Sequence, residues 1–192
     1  MIPFADIRPE DELPHEETTG TRRVYDARYL HVRVDEVILP SGTPGERYVV
    51  ERGQSVVIIP VTSDDHVLLV RQYRYAAGKH LVELPAGMVD PGEGILETAG
   101  RELTEETGHA AGSLRMIASA YMSPGFTNEY TTFVLAENCT PVPHNADPDE
   151  PLHLERVPLA AIPDLLTAGS PVIEQAQAML GLMWLLRLQN GA

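Results

Sequence analysis

The sequence predicts a mixed α/β fold, on three observations. Short apolar and β-branched runs recur along the chain, each bounded by turn residues. Between them residues 95–107 follow a helical rather than a strand period and stop at Gly108, a natural helix-terminating glycine. A second helical pattern closes the chain at residues 172–189. Mixed strands with a few interspersed helices give α/β or α+β architecture.

Taken in order, residues 1–20 are acidic and hold Pro3, Pro9 and Pro14, which predicts an arm rather than a packed element. Residues 21–52 form a small β lobe: strands at Val24–Tyr29, His31–Leu39 and Arg47–Val50, with the turn Pro40–Gly45 before the last. Three strands alone are marginal in water, so this lobe is expected to pack on something larger, such as a second subunit. Residues 53–192 form the larger domain. The apolar run Ser55–Val61, the turn Ser63-Asp64-Asp65 and the run Val67–Tyr73 read as a buried hairpin. Leu84–Gly94 is rich in Pro and Gly and reads as a loop, followed by the helix at Ile95–Thr107. Leu114–Tyr121 and Tyr130–Ala136 are further strands, and 137–151 is a long acidic loop. Leu159–Thr167 and Val172–Gln189 read as helices, the last with an apolar stripe through Val172, Ala176, Met179, Met183 and Leu186 assigned to core packing.

Charge narrows the partners. The formal net charge of −14 opposes binding to nucleic acid or to an anionic membrane surface. An anionic substrate would then need a divalent cation as intermediary. Cys139 is the lone cysteine, so no intrachain disulfide is expected, which fits a reducing cytoplasm. Residues 1–20 have neither signal- nor transit-peptide character, and no run of about 18 apolar residues suggests a membrane span. Trp184 and the histidines show no metal-ligand spacing.

The chemistry concentrates between Gly87 and His109, GMVDPGEGILETAGRELTEETGH. Residues three and four apart share a helix face, so Glu102, Glu105 and Glu106 crowd one side and repel by about 0.2–0.5 kcal/mol per pair. Such a face suits a hard, oxygen-seeking cation, although by glutamate spacing alone a solvated acidic surface is the commoner reading. Arg101 follows Glu97 by four residues, a spacing that permits an ion pair. The Gly-rich loop before the helix can bring backbone groups close to an ion or phosphate.

The full pattern, G-x5-E-x7-R-E-L-x-E-E-x-G, resembles the Nudix box: Gly87, Glu93, Arg101, Glu102, Leu103, Glu105, Glu106 and Gly108 all match. The departure is His109, where the family has an aliphatic residue, which puts local packing rather than chemistry in question. The resemblance implies a Nudix α/β/α sandwich with a mixed sheet. It implies that Glu102 and Glu106 bind Mg²⁺ or Mn²⁺, that Glu105 is a further ligand and catalytic carboxylate, that Glu93 holds the loop–helix geometry with Gly87, and that Arg101 orients the glutamates.

Features outside the box resemble the branch of the family that cleaves ADP-ribose and other nucleoside diphosphate sugars. Val70-Arg71-Gln72-Tyr73-Arg74 followed by Glu83-Leu84-Pro85-Ala86-Gly87 is similar to that branch's signature. By this resemblance Arg74 reaches a substrate phosphate, the Ala86 carbonyl is a metal ligand and Met88 contacts substrate. Ser123-Pro124-Gly125-Phe126 resembles a subgroup marker, and Glu129 matches a glutamate placed by metals or substrate. The stretch Asp147–Leu154 resembles a segment carrying an acidic residue, which makes Glu150 the expected general base. The N-terminal lobe resembles one that mediates homodimers, with Tyr29 and Arg47 as base-pocket residues. The implied reaction is hydrolysis of ADP-ribose to AMP and ribose 5-phosphate. GDP-mannose or ADP-glucose cleavage, or a Nudix-like ligand sensor without hydrolysis, are the competing expectations.

Overall fold

The computed structural model describes residues 13–28, 30–143, 151–167 and 172–191. Two compact units divide the chain: residues up to Arg52 together with Ser123–Glu129, and Gly53–Met122 together with Tyr130 onward.

The first unit is an antiparallel sheet of β1 (Glu17–Asp26), β2 (His31–Ile38) and β3 (Pro44–Glu51), in that order. β1 begins before the expected Val24, inside the stretch read as an arm. Its Thr- and Gly-rich start lacks apolar alternation, yet Glu17 is in register with Ile38 and Thr21 with Asp35. Central β2 supplies the buried Val34 and Val37. Buried Asp35 accepts from Thr21 Oγ1 (2.8 Å) and Arg33 Nε (2.9 Å), Arg33 Nη1 reaches Glu51 (2.8 Å), and Glu51 also accepts from Arg23 (2.9 Å). This ionic chain crosses all three strands, because opposite charges on neighbouring strands offset the pairing of Arg23 with Arg33. Residues 123–129 join the unit along β3: Val50 N donates to Phe126 O (2.7 Å) and Arg52 N to Asn128 Oδ1 (2.9 Å).

The second unit holds β4 (Gln54–Thr62), β5 (His66–Arg74), β6 (Lys79–Glu83), β7 (Ala86–Met88), α1 (Ile95–Thr107), β8 (His109–Ala110), β9 (Ser113–Tyr121), β10 (Tyr130–Pro141), β11 (His153–Pro158), α2 (Ile162–Leu165) and α3 (Ala176–Gln189). The sheet path is β11-β5-β4-β10-β8, with β6 on β5, β7 on β4 and β9 on β10. The expected hairpin exists only beside its turn, where Val61 pairs with Val67. Beyond it the two strands part: β5 takes β6 and β11, while β4 takes β7 and, in parallel, β10. The parallel ladder runs from Tyr130↔Gln54 to Ala136↔Pro60 and breaks its register after Pro60, which has no N–H to donate.

Continuous apolar runs in β4, β5 and β10 mark strands buried on both faces. Val57, Ile59, Val67, Leu69, Phe133 and Leu135 face the core that holds Ala178, Leu182 and Leu185 of α3. Val56, Ile58, Leu68, Val134 and Ala136 face the core that holds Ala99 and Leu103 of α1. A mixed sheet between α1 and α3 is the sandwich the sequence predicts.

Several elements depart from expectation. The stripe on the last helix is not core: Val172, Ala176, Met179 and Met183 are exposed, Leu186 is half-buried, and Ala178, Gly181, Leu182 and Leu185 face the sheet. That helix starts at Ala176 rather than Val172, capped by the Gln175 side chain, which accepts from Ala178 N (2.7 Å). The expected helix at 159–167 is a 3₁₀ turn, Leu159–Ala161, followed by the four-residue α2. Strand β7 lies within the predicted loop 84–94, and β10 runs on to Pro141, past the expected start of the acidic loop. Among the described residues no helix is long and apolar enough to cross a membrane.

Candidate active site

Helix α1 begins where the turn Asp90–Glu93 ends. Gly92, at φ +89°, makes the bend, and Glu93 N donates to Asp90 O (3.0 Å). Glu97 caps the helix by accepting from Gly94 N (3.3 Å), so it does not make the ion pair with Arg101 that its spacing permits. Gly108 closes the helix in the left-handed region, its N–H on Thr104 O (2.9 Å). His109 is buried, and its Nδ1–H donates to Thr107 O (2.7 Å), so the polar ring in an aliphatic position is satisfied and packing is kept.

Arg101 organises the acidic face. Its Nε and Nη2 fork onto the two oxygens of Glu93 (3.0 Å each), and Nη1 reaches Glu102 Oε1 (2.8 Å) and Glu105 Oε2 (3.0 Å). Nη2 also donates to Met88 O (3.4 Å). Arg101, held first of all by Glu93, keeps its proton more tightly than a free guanidinium. The same fork, with Thr98 Oγ1 donating to Glu93 (2.8 Å), drops the Glu93 carboxyl to about 2.

The helix meets strand β7 at successive residues. Ala86 N donates to Glu106 Oε2 (3.1 Å). A Cβ on Gly87 would lie 1.9 Å from Glu102 Oε1, so the absent side chain is the cradle for that carboxylate. Thus Ala86, Gly87, Met88, Glu93, Arg101, Glu102, Glu105 and Glu106 share one neighbourhood. Four carboxylates against one guanidinium leave it strongly negative, and its donors are hard oxygens, the chemistry of Mg²⁺ or Mn²⁺ rather than of softer metals. Among the described residues no three acidic, His or Cys side chains are already converged as a metal cluster, because Arg101 holds Glu102 and Glu105 while Glu106 turns to the Ala86 amide.

Arg74, expected at a substrate phosphate, forks onto Glu83, with Nε to Oε1 at 2.8 Å and Nη2 to Oε2 at 2.5 Å. The Glu83 side chain is fully buried and the Arg74 side chain is 45% exposed. Sequence reading gave Glu83 no role. Its signal was a lone carboxylate in the apolar stretch Leu81-Val82-Glu83-Leu84, nine residues beyond an arginine. Arg71 pairs with Glu155 of β11 (3.0 Å). Arg47 and Glu129 belong to the first unit: Arg47 pairs with Glu16 and donates to Glu46 O (3.1 Å), and Glu129 N donates to Thr127 Oγ1 (3.2 Å). Tyr29 and Glu150 lie outside the described residues. A surface hollow beside the β4–β5 turn, lined by Asp65, His66, Leu159, Leu186 and Asn190, shares no residue with the acidic site.

A mixed sheet between two helices, with a box of glutamates clamped onto a short glycine-bearing strand, is the architecture of a Nudix hydrolase. The chain belongs to that family: the NUDIX domain matches residues 51–176, and the nucleoside diphosphate sugar hydrolase N-terminal domain matches residues 16–50. It is 34% identical to the methanol dehydrogenase activator of Bacillus methanolicus over 72% of this chain and 75% of that protein. It is 33% identical to the ADP-ribose pyrophosphatase of Bacillus subtilis over 70% of this chain and 73% of that protein. A crystal structure of an ADP compounds hydrolase superposes with a TM-score of 0.82 at 27% identity, covering 93% of this chain and 96% of the other. Nudix hydrolases generally need divalent cations.

Proposed function

We propose that this Nudix hydrolase cleaves the pyrophosphate bond of ADP-ribose, giving AMP and ribose 5-phosphate, with Mg²⁺ (or Mn²⁺) as cofactor. The observation that supports the reading is the docking of α1 on β7, which sets Glu106 on the Ala86 amide and Glu102 beside Gly87, with Arg101 holding Glu102 and Glu105 on the same helix face. The oxygen-only donors fit a small hard cation, which the three glutamates and the Ala86 carbonyl would hold. Bound there, such a cation supplies charge neutralisation of the diphosphate and acidifies a bound water.

The chain's own residues do the rest. Arg101 orients Glu102 and Glu105 and offsets their repulsion, with Glu93 as its anchor. Arg74 meets a phosphate oxygen with a planar, permanently charged group. Glu150 accepts the proton of the attacking water. Met88, Glu129, Tyr29 and Arg47 contact substrate, a reading supported by their match to the family pattern. Homodimerisation through the N-terminal lobe and a cytoplasmic location complete it. Mostly exposed β1, with Val24 47% and Tyr25 55% accessible, supports the dimer.

The name of the Bacillus subtilis relative favours ADP-ribose. The match of residues 16–50 to a nucleoside diphosphate sugar hydrolase domain keeps GDP-mannose and ADP-glucose as a second reading. Hydrolysis of ADP-ribose, ADP-glucose, GDP-mannose, NADH and diadenosine polyphosphates, with Mg²⁺ and with EDTA, decides between them. ADP-ribose should give the highest kcat/KM, abolished by EDTA. A tenfold advantage for another compound selects the second reading, and binding without cleavage would make the protein a sensor.

A further inference from the structure

A fully buried carboxylate is an expensive partner for a half-exposed arginine. Desolvating Glu83 is costly, and buried ion pairs can often be replaced by apolar residues of similar volume without loss of stability. An ionic fork adds direction: two parallel bonds fix the guanidinium plane, which a point contact would leave free to swing. Glu83 Oε2 has a second donor beside Arg74. Gln175 Nε2 lies 3.4 Å from Glu83 Oε2, while the same side chain caps α3 through Ala178 N. The polar chain continues from Gln175 Nε2 to Gln177 Oε1 (2.9 Å), from Gln177 Nε2 to Thr131 Oγ1 (3.4 Å) and from Thr131 to Ser55 Oγ (2.7 Å). Ser55 is the register partner of Met88, at the end of the strand that carries Ala86 and Gly87. Hydrogen-bonded chains of this kind, half-buried at Gln175 and Gln177 and buried at Thr131 and Ser55, resist rearrangement, because breaking one member leaves its neighbours unsatisfied.

We infer that Glu83 is a positioning residue that, supported by Gln175, holds the Arg74 guanidinium in the orientation in which it meets the diphosphate of the substrate. The inference rests on the proposed role of Arg74 as a diphosphate ligand, and it names how that role is built.

The test is the Kd of the full chain for α,β-methylene-ADP with Mg²⁺, by calorimetry, in wild type, Glu83→Gln, Arg74→Ala and the double variant, with thermal unfolding alongside. Each single change should weaken binding about 10- to 100-fold, the range for a lost bond to a charged group, and the double variant should bind no more weakly than Arg74→Ala alone. Additive losses would mean that Glu83 acts independently of Arg74 and overturn the inference. Glu83→Asp keeps the charge but shortens the reach, so it should also bind weakly; wild-type affinity there would show that charge without orientation suffices and overturn the inference as well. If Glu83→Gln does not fold, Glu83→Asp and Gln175→Ala carry the test, the latter expected to weaken binding severalfold through loss of the longer bond. Because the analogue is not cleaved, failure of wild type to hydrolyse ADP-ribose would sink the proposed function while leaving this inference to be judged by Kd. Absence of analogue binding by wild type would overturn the inference itself.

Discussion

At the scale of single residues, the site is a set of tight geometric dependencies. Glu106→Gln keeps the shape and removes the charge, so kcat for nucleotide-sugar hydrolysis should fall by about two orders of magnitude or more with circular dichroism unchanged. An unchanged kcat would remove Glu106 from the proposed metal set. Gly87→Ala places a methyl where Glu102 Oε1 lies, 1.9 Å from an ideal Cβ, and must displace that carboxylate. A loss of about a hundredfold in kcat is expected, the order found when a reacting group is misplaced by about 1 Å. Glu93 gives a pH signature. Its carboxyl titrates at about 2 in the folded chain against an ordinary 4.5, so its contribution to stability is fully present above 4.5 and is lost as pH falls toward 2. Urea midpoints for Glu93→Gln should therefore fall less steeply than wild type across that window; parallel curves would mean that the Arg101 fork contributes nothing to folding. The acidic face of α1 was legible in the sequence by helix geometry, and the place of Gly87 and Glu93 beside it only through the family resemblance. Glu83 was not, because its partner lies across a strand pair and sequence spacing does not encode that register.

At the scale of elements, legibility followed chemistry. Helix α1 was read to the residue, since Gly108 ends it and an acidic face opposes Ala99 and Leu103. The face of α3 was misread. Ala176–Gln189 is apolar nearly all round, so periodicity could not choose between Met179/Met183 and Leu182/Leu185. Small residues decided it: Gly181 lets the helix approach so closely that an added Cβ would sit 2.4 Å from Leu84 Cδ1. Gly181→Ala should thus cost about 1–3 kcal/mol by overpacking, less whatever the Leu84 side chain can yield. Met183→Ala, on a side chain 57% exposed, should stay within about 0.5 kcal/mol. Denaturant midpoints for the pair check the assignment, and the reverse ranking would restore the stripe to the core. Strands β6, β7, β8 and β11 escaped notice for another reason. Each is short, or carries charged and Pro residues among its apolar ones, and is a strand only because a neighbour supplies the ladder.

For the whole molecule, a net charge of −14 and an acidic site make cation binding and stability two views of one equilibrium. Mg²⁺ at a hundredfold excess over its Kd should stabilise the folded chain by about 2.7 kcal/mol, read as a rise in Tm that EDTA reverses and Glu106→Gln blunts. No rise would argue that the glutamates do not hold the ion in the free protein. Light scattering tests the proposed dimer separately, since a monomer at micromolar concentration would rule out the N-terminal lobe as a stable interface. The parallel pairing of β4 with β10 has a consequence for biosynthesis. Ser55 meets Thr131 across 76 positions of chain, so the middle strand of the sheet emerges from the ribosome long before its partner exists. Until Tyr130–Ala136 has been made, the apolar run Val56–Ile59 keeps an open edge on the side that β10 later takes, although β7 pairs with its start and α1 can cover one of its faces. Nascent chains stalled before β10 should be protease-sensitive and bound by chaperones, and those stalled well beyond it should be resistant, which makes one late strand the step that commits the larger unit to its fold.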